Sequence, residues 1–251
     1  VSSAPVHERI CVSGISSWNQ SIDADLAMYR DLGVHTIGAA LRKIDGDAGI
    51  ERLASSGLCI HDVIGVGASG LARGIDVAVR LGAPYVVCTT GPLGDREWDQ
   101  AAAAFVRGVA AANQPGVVPC VEHTNSLRTD VSFVHTLRDA VDVAREAGIG
   151  VCMEITACWA ERDLARTIER SIDVIRLVQV SDVRAGTLST PNRVVPGDGD
   201  IPLDRIIGRL LDAGYGGLFE LELVGPRIEE EGYRSALARS CDALARLLER
   251  G

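Results

Sequence analysis

Aromatic side chains are scarce in this 251-residue chain, at 4%. A core built on large rings is thereby excluded, and Ala, Val, Leu, Ile and Gly are plentiful instead, as suits parallel strands buried on both faces. Excess positive charge is also missing. Lys and Arg number 25 against 34 Asp and Glu, a net charge of −9, which argues against a phosphate backbone as partner because nucleic-acid binding needs a basic footprint. The seven cysteines form no C-x-x-C pair. Cys11, Cys59, Cys88, Cys120 and Cys152 fall in or beside apolar runs and read as reduced, packed thiols rather than a disulfide framework. No apolar run is long enough to span a bilayer, and VSSAPVHERI lacks the charged-then-apolar layout of a signal peptide. A cytoplasmic protein is expected.

Familiar nucleotide and nucleophile motifs are missing too. There is no G-x-S-x-G elbow and no P-loop. GVGASG, Gly65 to Gly70, formally fits G-x-G-x-x-G, but the next apolar run ends in Cys88, Thr89 and Thr90 where a dinucleotide site wants an acid. A flexible loop between a strand and a helix is the better reading. Cys158 has no neighbouring base to activate it.

What is present is a regular alternation. Short apolar runs occur at Ile10–Ile15, Val34–Ala39, Leu58–Ile64, Tyr85–Thr89, Val117–Glu122, Ile149–Glu154, Ile175–Val180 and Leu218–Leu223. Amphipathic stretches separate them. From about Asp130 to Ala147, Phe133, Val134, Leu137, Val141 and Ala144 share a helical face; Leu203, Ile206, Ile207, Leu210 and Leu211 do the same later. Glycines at 33, 82, 148 and 214 stand where helices should stop. Eight strand–helix units in this length match an α/β, (β/α)8 barrel, with an open doubly wound sheet as the alternative. No linker or composition shift appears, so residues 1–251 are expected to form one domain.

Four polar residues end the later strands: Glu122 in VPCVEH, Glu154 in VCMEIT, Gln179 in LVQVSD and Glu222 in ELELVG. In a parallel barrel they converge at the C-terminal end, where such folds keep their active sites. Three carboxylates and a carboxamide aimed at one spot repel one another unless a cation sits between them. The set therefore reads as an oxygen-rich site for one divalent metal, Mn²⁺ or Mg²⁺ rather than Zn²⁺. The alternatives are structural carboxylates hydrogen-bonded in the barrel mouth, and, for Gln179, a polar wall that does not touch metal.

VPGDGDIPLDRIIGRLLDAGYGGLFELEL (195–223), GIDVAVRLGAPYVVCTTGP (74–92), VEHTN and IRLVQVSDV, in that order, resemble the xylose-isomerase-like barrel superfamily of sugar (phosphate) isomerases and epimerases. The resemblance covers most of the chain. It implies a metal held by Glu, Asp, His and Glu from strands five to eight. Glu122 and Glu222 match the first and last. Glu154 stands in place of Asp and Gln179 in place of His; Ala157 replaces a common substrate-contacting His, and Gly38 a common second-strand Glu. The implied activity is isomerisation or epimerisation of a small polyhydroxylated carbonyl compound, sugar or cyclitol-like, through a metal-stabilised enediolate, with Glu122 and Glu222 as the proton-transfer pair. A dehydratase-type lyase, as in the inosose dehydratases of the group, is the rival. A barrel that binds without catalysing is the third reading. An abasic-site endonuclease of related fold is disfavoured by the acidic charge.

Further candidates for substrate contact are His61, ending the third apolar run; His123, which alternation aims away from Glu122; Asp182; Arg184 and Arg193 in the loop after strand seven; and Trp18 and Trp159 as apolar walls. Each has a structural alternative: packed histidines, solvated arginines, rim-shielding tryptophans. A small-molecule substrate is the expected partner, with neither nucleic acid nor membrane; a homodimer stays open.

Overall fold

The computed structural model describes residues 6–249. Eight parallel strands close on themselves in sequence order: β1 (Ile10–Ser13), β2 (Thr36–Ala40), β3 (Cys59–Gly67), β4 (Tyr85–Thr89), β5 (Val118–Glu122), β6 (Gly150–Glu154), β7 (Ile175–Val180) and β8 (Leu218–Leu221). The principal helices are α1 (Ile22–Leu32), α2 (Gly46–Ala54), α3 (Leu71–Leu81), α4 (Trp98–Ala112), α5 (Leu137–Ala147), the short α6 (Ile155–Cys158), α7 (Leu164–Ser171), α8 (Leu203–Asp212), α9 (Pro226–Glu231) and α10 (Tyr233–Leu248). The chain is a single-domain (β/α)8 barrel, and the doubly wound alternative is excluded by the closing β1–β8 pair, in which Cys11 lies opposite Glu220.

Local sequence explains most boundaries. Gly33, Gly82 and Gly148 cap α1, α3 and α5 in the left-handed conformation, their amides satisfying the last helical carbonyls. Gly214 is also left-handed, but one residue beyond the cap of α8. Thr136 starts α5 by accepting a hydrogen bond from Asp139 N at 3.0 Å. The helix expected from Asp130 therefore begins only at Leu137. Phe133 and Val134 are buried as anticipated, but in a loop: Ser132 bonds Thr90 at 2.9 Å, and Phe133 meets Trp98 edge-on at 5.8 Å. Their apolar spacing imitated a helical face that the loop's own hydrogen bonds override.

β3 also differs from expectation. It runs through Gly67, so Gly65–Gly67 belongs to a strand rather than a flexible loop. His61 is consequently the third residue of β3, toward the barrel's N-terminal end, and not its last. Cys59 is exposed there, unlike the other cysteines, and all seven are free thiols.

Inside the barrel, Ile64, Val87, Cys120, Cys152 and Leu177 fill the space between strands. A larger shell between strands and helices includes Met153, Ile168, Leu210 and Phe219. The loop after β7 folds back over the barrel mouth. Asp182 holds it: Oδ1 accepts from Val183 N (2.9 Å) and Ile201 N (3.0 Å), and Oδ2 from Gly197 N (3.0 Å) and Gly199 N (3.1 Å). Asp182 also exchanges two backbone bonds with Val194. A carboxylate that is 1% exposed and accepts four amides is a scaffold for this loop. Asp182→Ala should therefore lower stability by on the order of 3 kcal/mol, read as a reduced urea midpoint; an unchanged midpoint would contradict this role.

Candidate functional site

The C-terminal ends of the strands open into a cavity of about 1230 Å³ that is lined by Glu122, Glu154, Glu222, Arg193 and Trp18. Glu122 closes β5 and Glu154 closes β6, while Glu222 sits one residue beyond β8. One oxygen of each of the three carboxylates lies within 4.8 Å of the others.

Each carboxylate is held by its surroundings. Glu154 Oε1 accepts from Thr156 N and Thr156 Oγ1, both at 2.9 Å, capping α6; its other oxygen, Oε2, is buried beside Arg193. The backbone around Glu222 is clamped on two sides: its own N–H reaches Val180 O at 3.2 Å, and Ser16 Oγ bonds both Leu221 O and Leu223 N at 2.9 Å. Gln179 lies below Glu222 and is fully buried. Its Nε2 donates to Glu222 Oε2 at 2.5 Å and to Glu220 Oε2 at 3.2 Å. Gln179 thus presents its amide nitrogen, not its carbonyl oxygen, to the cluster.

The charge balance is carried by Arg193. Its Nη1 meets Glu154 Oε2 at 2.8 Å and Ser181 Oγ at 2.9 Å, and its Nη2 lies 3.7 Å from Glu222 Oε1. Its backbone N–H donates to Val224 O at 3.0 Å, pinning the loop after β7 to the segment after β8. Burial opposes the guanidinium charge, yet Glu154, Glu222 and Glu122 hold its pKa above the ordinary value.

One guanidinium among three carboxylates leaves a formal deficit of two positive charges. Burial, and then Glu222 and Glu154, push Glu122 well above the ordinary carboxylate range. Burial also raises Glu222 to about 7, with Arg193 working in the opposite direction. In both, burial is the largest cause and the neighbouring carboxylates add to it. The all-oxygen donor set, the close spacing and the deficit of two fit a hard divalent cation. Glu122, Glu154 and Glu222 are the residues that would hold it.

The other expected residues divide. Trp18 lines the cavity, 41% exposed, with the Arg42 guanidinium 4.0 Å from its ring centre. Trp159 and Arg184 line a smaller hollow of about 210 Å³ that shares Asn125, Thr190 and Arg193 with the main cavity. His123 is turned away and fully buried, its Nε2 accepting from Glu154 N at 3.2 Å. Burial, then His135, drops His123 to about 3, so it is a neutral prop behind Glu154. His61 lies toward the opposite end of the barrel and Asp182 is consumed by its loop; neither lines the cavity. Arg193, which the sequence offered only as one of two loop cations, is the central one. Glu220 was missed. It lies on β8 two residues before Glu222, fully buried, and reaches Gln179 and Cys11, a placement that only the closed strand order reveals.

A family model described as xylose isomerase-like TIM barrel matches residues 30–243. The chain belongs to that family. Comparison with curated proteins returns no match. Among solved structures, protein SMc04130 of Sinorhizobium meliloti 1021 superposes with a TM-score of 0.84 at 21% identity, over 96% of this chain and 98% of that one. An IolI protein with a bound zinc atom gives 0.82 at 15% identity, with 96% and 98% covered. A D-psicose 3-epimerase crystallised in the presence of D-fructose gives 0.72 at 16% identity, with 95% and 97% covered. At these identities the likeness is one of fold.

The raised value of Glu222 has a signed consequence. Between pH 4.5, its ordinary value, and about 7 the folded chain keeps a proton that the unfolded chain has lost. The stability tied to that proton is complete below the lower value and disappears as pH rises through the upper one. In metal-free protein, Glu222→Gln should match wild type near pH 4 and exceed it at pH 8 by about 2 kcal/mol. Saturating Mn²⁺ should reverse the order at pH 8. Urea unfolding at both pH values, with and without Mn²⁺, checks this; a pH-independent difference would contradict it.

Proposed function

We propose that this protein is a divalent-metal-dependent isomerase or epimerase of a small polyhydroxylated carbonyl compound. The supporting observation is the carboxylate triad around Arg193 at the mouth of a closed barrel, facing a cavity large enough for a monosaccharide-sized ligand. Solved neighbours include a D-psicose 3-epimerase and a zinc-bound IolI protein. A bound cation, Mn²⁺ or Mg²⁺, would supply Lewis-acid polarisation of the substrate's oxygens.

The chain's own groups account for the rest. Glu122 and Glu222 stand at the ends of β5 and just beyond β8, separated around the barrel by two strands that carry Glu154 and Gln179. A substrate carbon between them can lose a proton to one and receive it from the other. Return to the opposite face gives an epimer; return to the neighbouring carbon gives an isomer. Gln179 orients Glu222 by its 2.5 Å hydrogen bond. Arg193 both tempers the carboxylate repulsion and offers donors to substrate oxygens. Trp18 supplies an apolar wall for the C–H face of a sugar. A dehydratase would share the first proton transfer and differ by expelling water. A small-molecule substrate and a cytoplasmic setting belong to this same proposal.

Turnover in D₂O should place one deuterium on carbon, a one-unit mass gain in a product otherwise of substrate mass. Loss of the mass of water would select the lyase. Glu122→Gln and Glu222→Gln should each lower kcat by at least 10²-fold, the usual scale of a lost general base, and abolish wash-in. Full activity in both variants would remove the two glutamates from the chemistry.

Metal content is a separate check. One Mn²⁺ per chain is expected at the triad, and Glu122→Ala and Glu222→Ala should each lose it. Retention of full Mn²⁺ occupancy by the double variant would place the metal elsewhere.

A further inference from the structure

Below the triad, toward the N-terminal ends of the strands, the barrel axis carries a second polar group that the proposed reaction does not use. Cys11 on β1, Asp62 on β3 and Glu220 on β8 are fully buried, and the His61 side chain is only 13% exposed. One donor atom each from Cys11, His61 and Asp62 lies within 4.8 Å of the other two. Cys11 Sγ lies 4.0 Å from Glu220 Oε1.

Three backbone features create this convergence. Cys11 and Glu220 are direct partners across the β1–β8 seam. A bulge makes His61 the extra residue between Ile60, opposite Ile37, and Asp62, opposite Gly38. Neighbours on a regular strand point to opposite faces, but a bulge re-aims them, and here His61 Nδ1 comes to 3.3 Å from Asp62 Oδ1. Finally, Gly38 leaves room on β2. A Cβ there would lie 2.2 Å from Glu220 Oε1 and 2.8 Å from Asp62 Oδ2, so both carboxylates reach into the space over this glycine.

Asp62 Oδ2 is buried there and has no hydrogen-bond partner. Among the described residues, no Lys or Arg forms an ion pair with Asp62 or Glu220. A carboxylate, a thiol and an imidazole this close together, with the Glu220 carboxylate beside the thiol and no cation among them, are an incomplete set, since buried charge is costly unless paired or coordinated to metal.

We propose that Cys11, His61, Asp62 and Glu220 form a second, structural metal site. Its donors are one sulfur, one nitrogen and two carboxylate groups, which suit a borderline tetrahedral cation of the zinc type, with bond lengths of roughly 2.0–2.3 Å. Such bonds require the Cys11, His61 and Asp62 donors to draw together from within 4.8 Å of one another, and Glu220, 4.0 Å from the thiol, to close on them as the fourth. The triad above is all oxygen and suits a harder ion, so the barrel separates two metals by ligand type. Gln179 joins the two levels, donating to Glu220 below and Glu222 above. Metal binding to Glu220 would thereby fix the amide that orients Glu222.

Cobalt(II) distinguishes the sites, because a thiolate ligand gives near-ultraviolet charge-transfer absorption that an oxygen-only site lacks. The test uses the full chain, stripped of metal by chelation and kept reduced, in wild type and in a Glu122→Gln/Glu222→Gln background that weakens the triad. Both should bind one Co²⁺ per chain with this absorption, and Zn²⁺ should abolish it stoichiometrically. Cys11→Ser should eliminate the band, whereas Cys59→Ser should keep it. His61→Ala, at the least buried ligand, should weaken Co²⁺ binding at least tenfold while the circular dichroism of the fold is retained. Mn²⁺ binding at the triad should survive in Cys11→Ser. Absence of the band in wild type, or its persistence in Cys11→Ser, would overturn the second site; so would unchanged Co²⁺ affinity in folded His61→Ala.

Discussion

The carboxylate repulsion at the barrel mouth is the constraint around which this structure is arranged. Glu122, Glu154 and Glu222 come from different strands and share a space less than 5 Å across. Like charges this close in a partly dry site cannot all ionise without compensation. Arg193 supplies part of it from a loop, and that loop is fixed by Asp182, by the Asp182–Val194 bridge and by the bond from Arg193 N to Val224 O. The scaffold carboxylate and the site guanidinium therefore depend on one another: loosening the first frees the second.

The same logic extends along the axis. A (β/α)8 barrel normally fills its centre with branched aliphatic side chains, and here Ile64, Val87 and Leu177 contribute such a cluster. Beside it a polar column runs from Glu222 through Gln179 to Glu220, whose carboxylate shares the space over Gly38 with Asp62. The column is accommodated by Gly38, which leaves space for side chains from β3 and β8. The family resemblance marks position 38 as one where a glutamate is common. In this chain the carboxylates of Glu220 and Asp62 reach into the space over that position instead.

Trp18 shows how the rim is built from interactions remote from any chemistry. The β1 loop is held by Lys43, whose Nζ reaches Asp25 Oδ2 at 2.6 Å and Ser17 O at 2.8 Å. Arg42 then bonds Trp18 O at 2.6 Å and stands over the indole. A half-exposed ring is kept at the cavity edge by a buried ion pair behind it, which lets the cavity keep an apolar wall without a covering lid.

Much of this was legible in the sequence, for local reasons. Apolar runs mark seven of the eight strands to within two residues, because parallel strands buried on both faces have a plain composition. Glu122, Glu154 and Glu222 stand out because charge at the end of such a run is expensive unless used. Where the reading slipped, a nonlocal interaction intervened. The Thr90–Ser132 bond turns the first part of the expected fifth helix into a loop, and β3 continues through three residues that resembled a glycine-rich turn. The sequence by itself therefore determined the strand–helix alternation and the identity of the acidic strand ends, since periodicity and composition are local. Tertiary structure alone decided that Arg193 is the counter-ion, that Gln179 turns its nitrogen to Glu222, and that Cys11, His61 and Asp62 meet beside Glu220. Those placements depend on barrel closure, a strand bulge and a missing side chain at Gly38, which no single segment encodes.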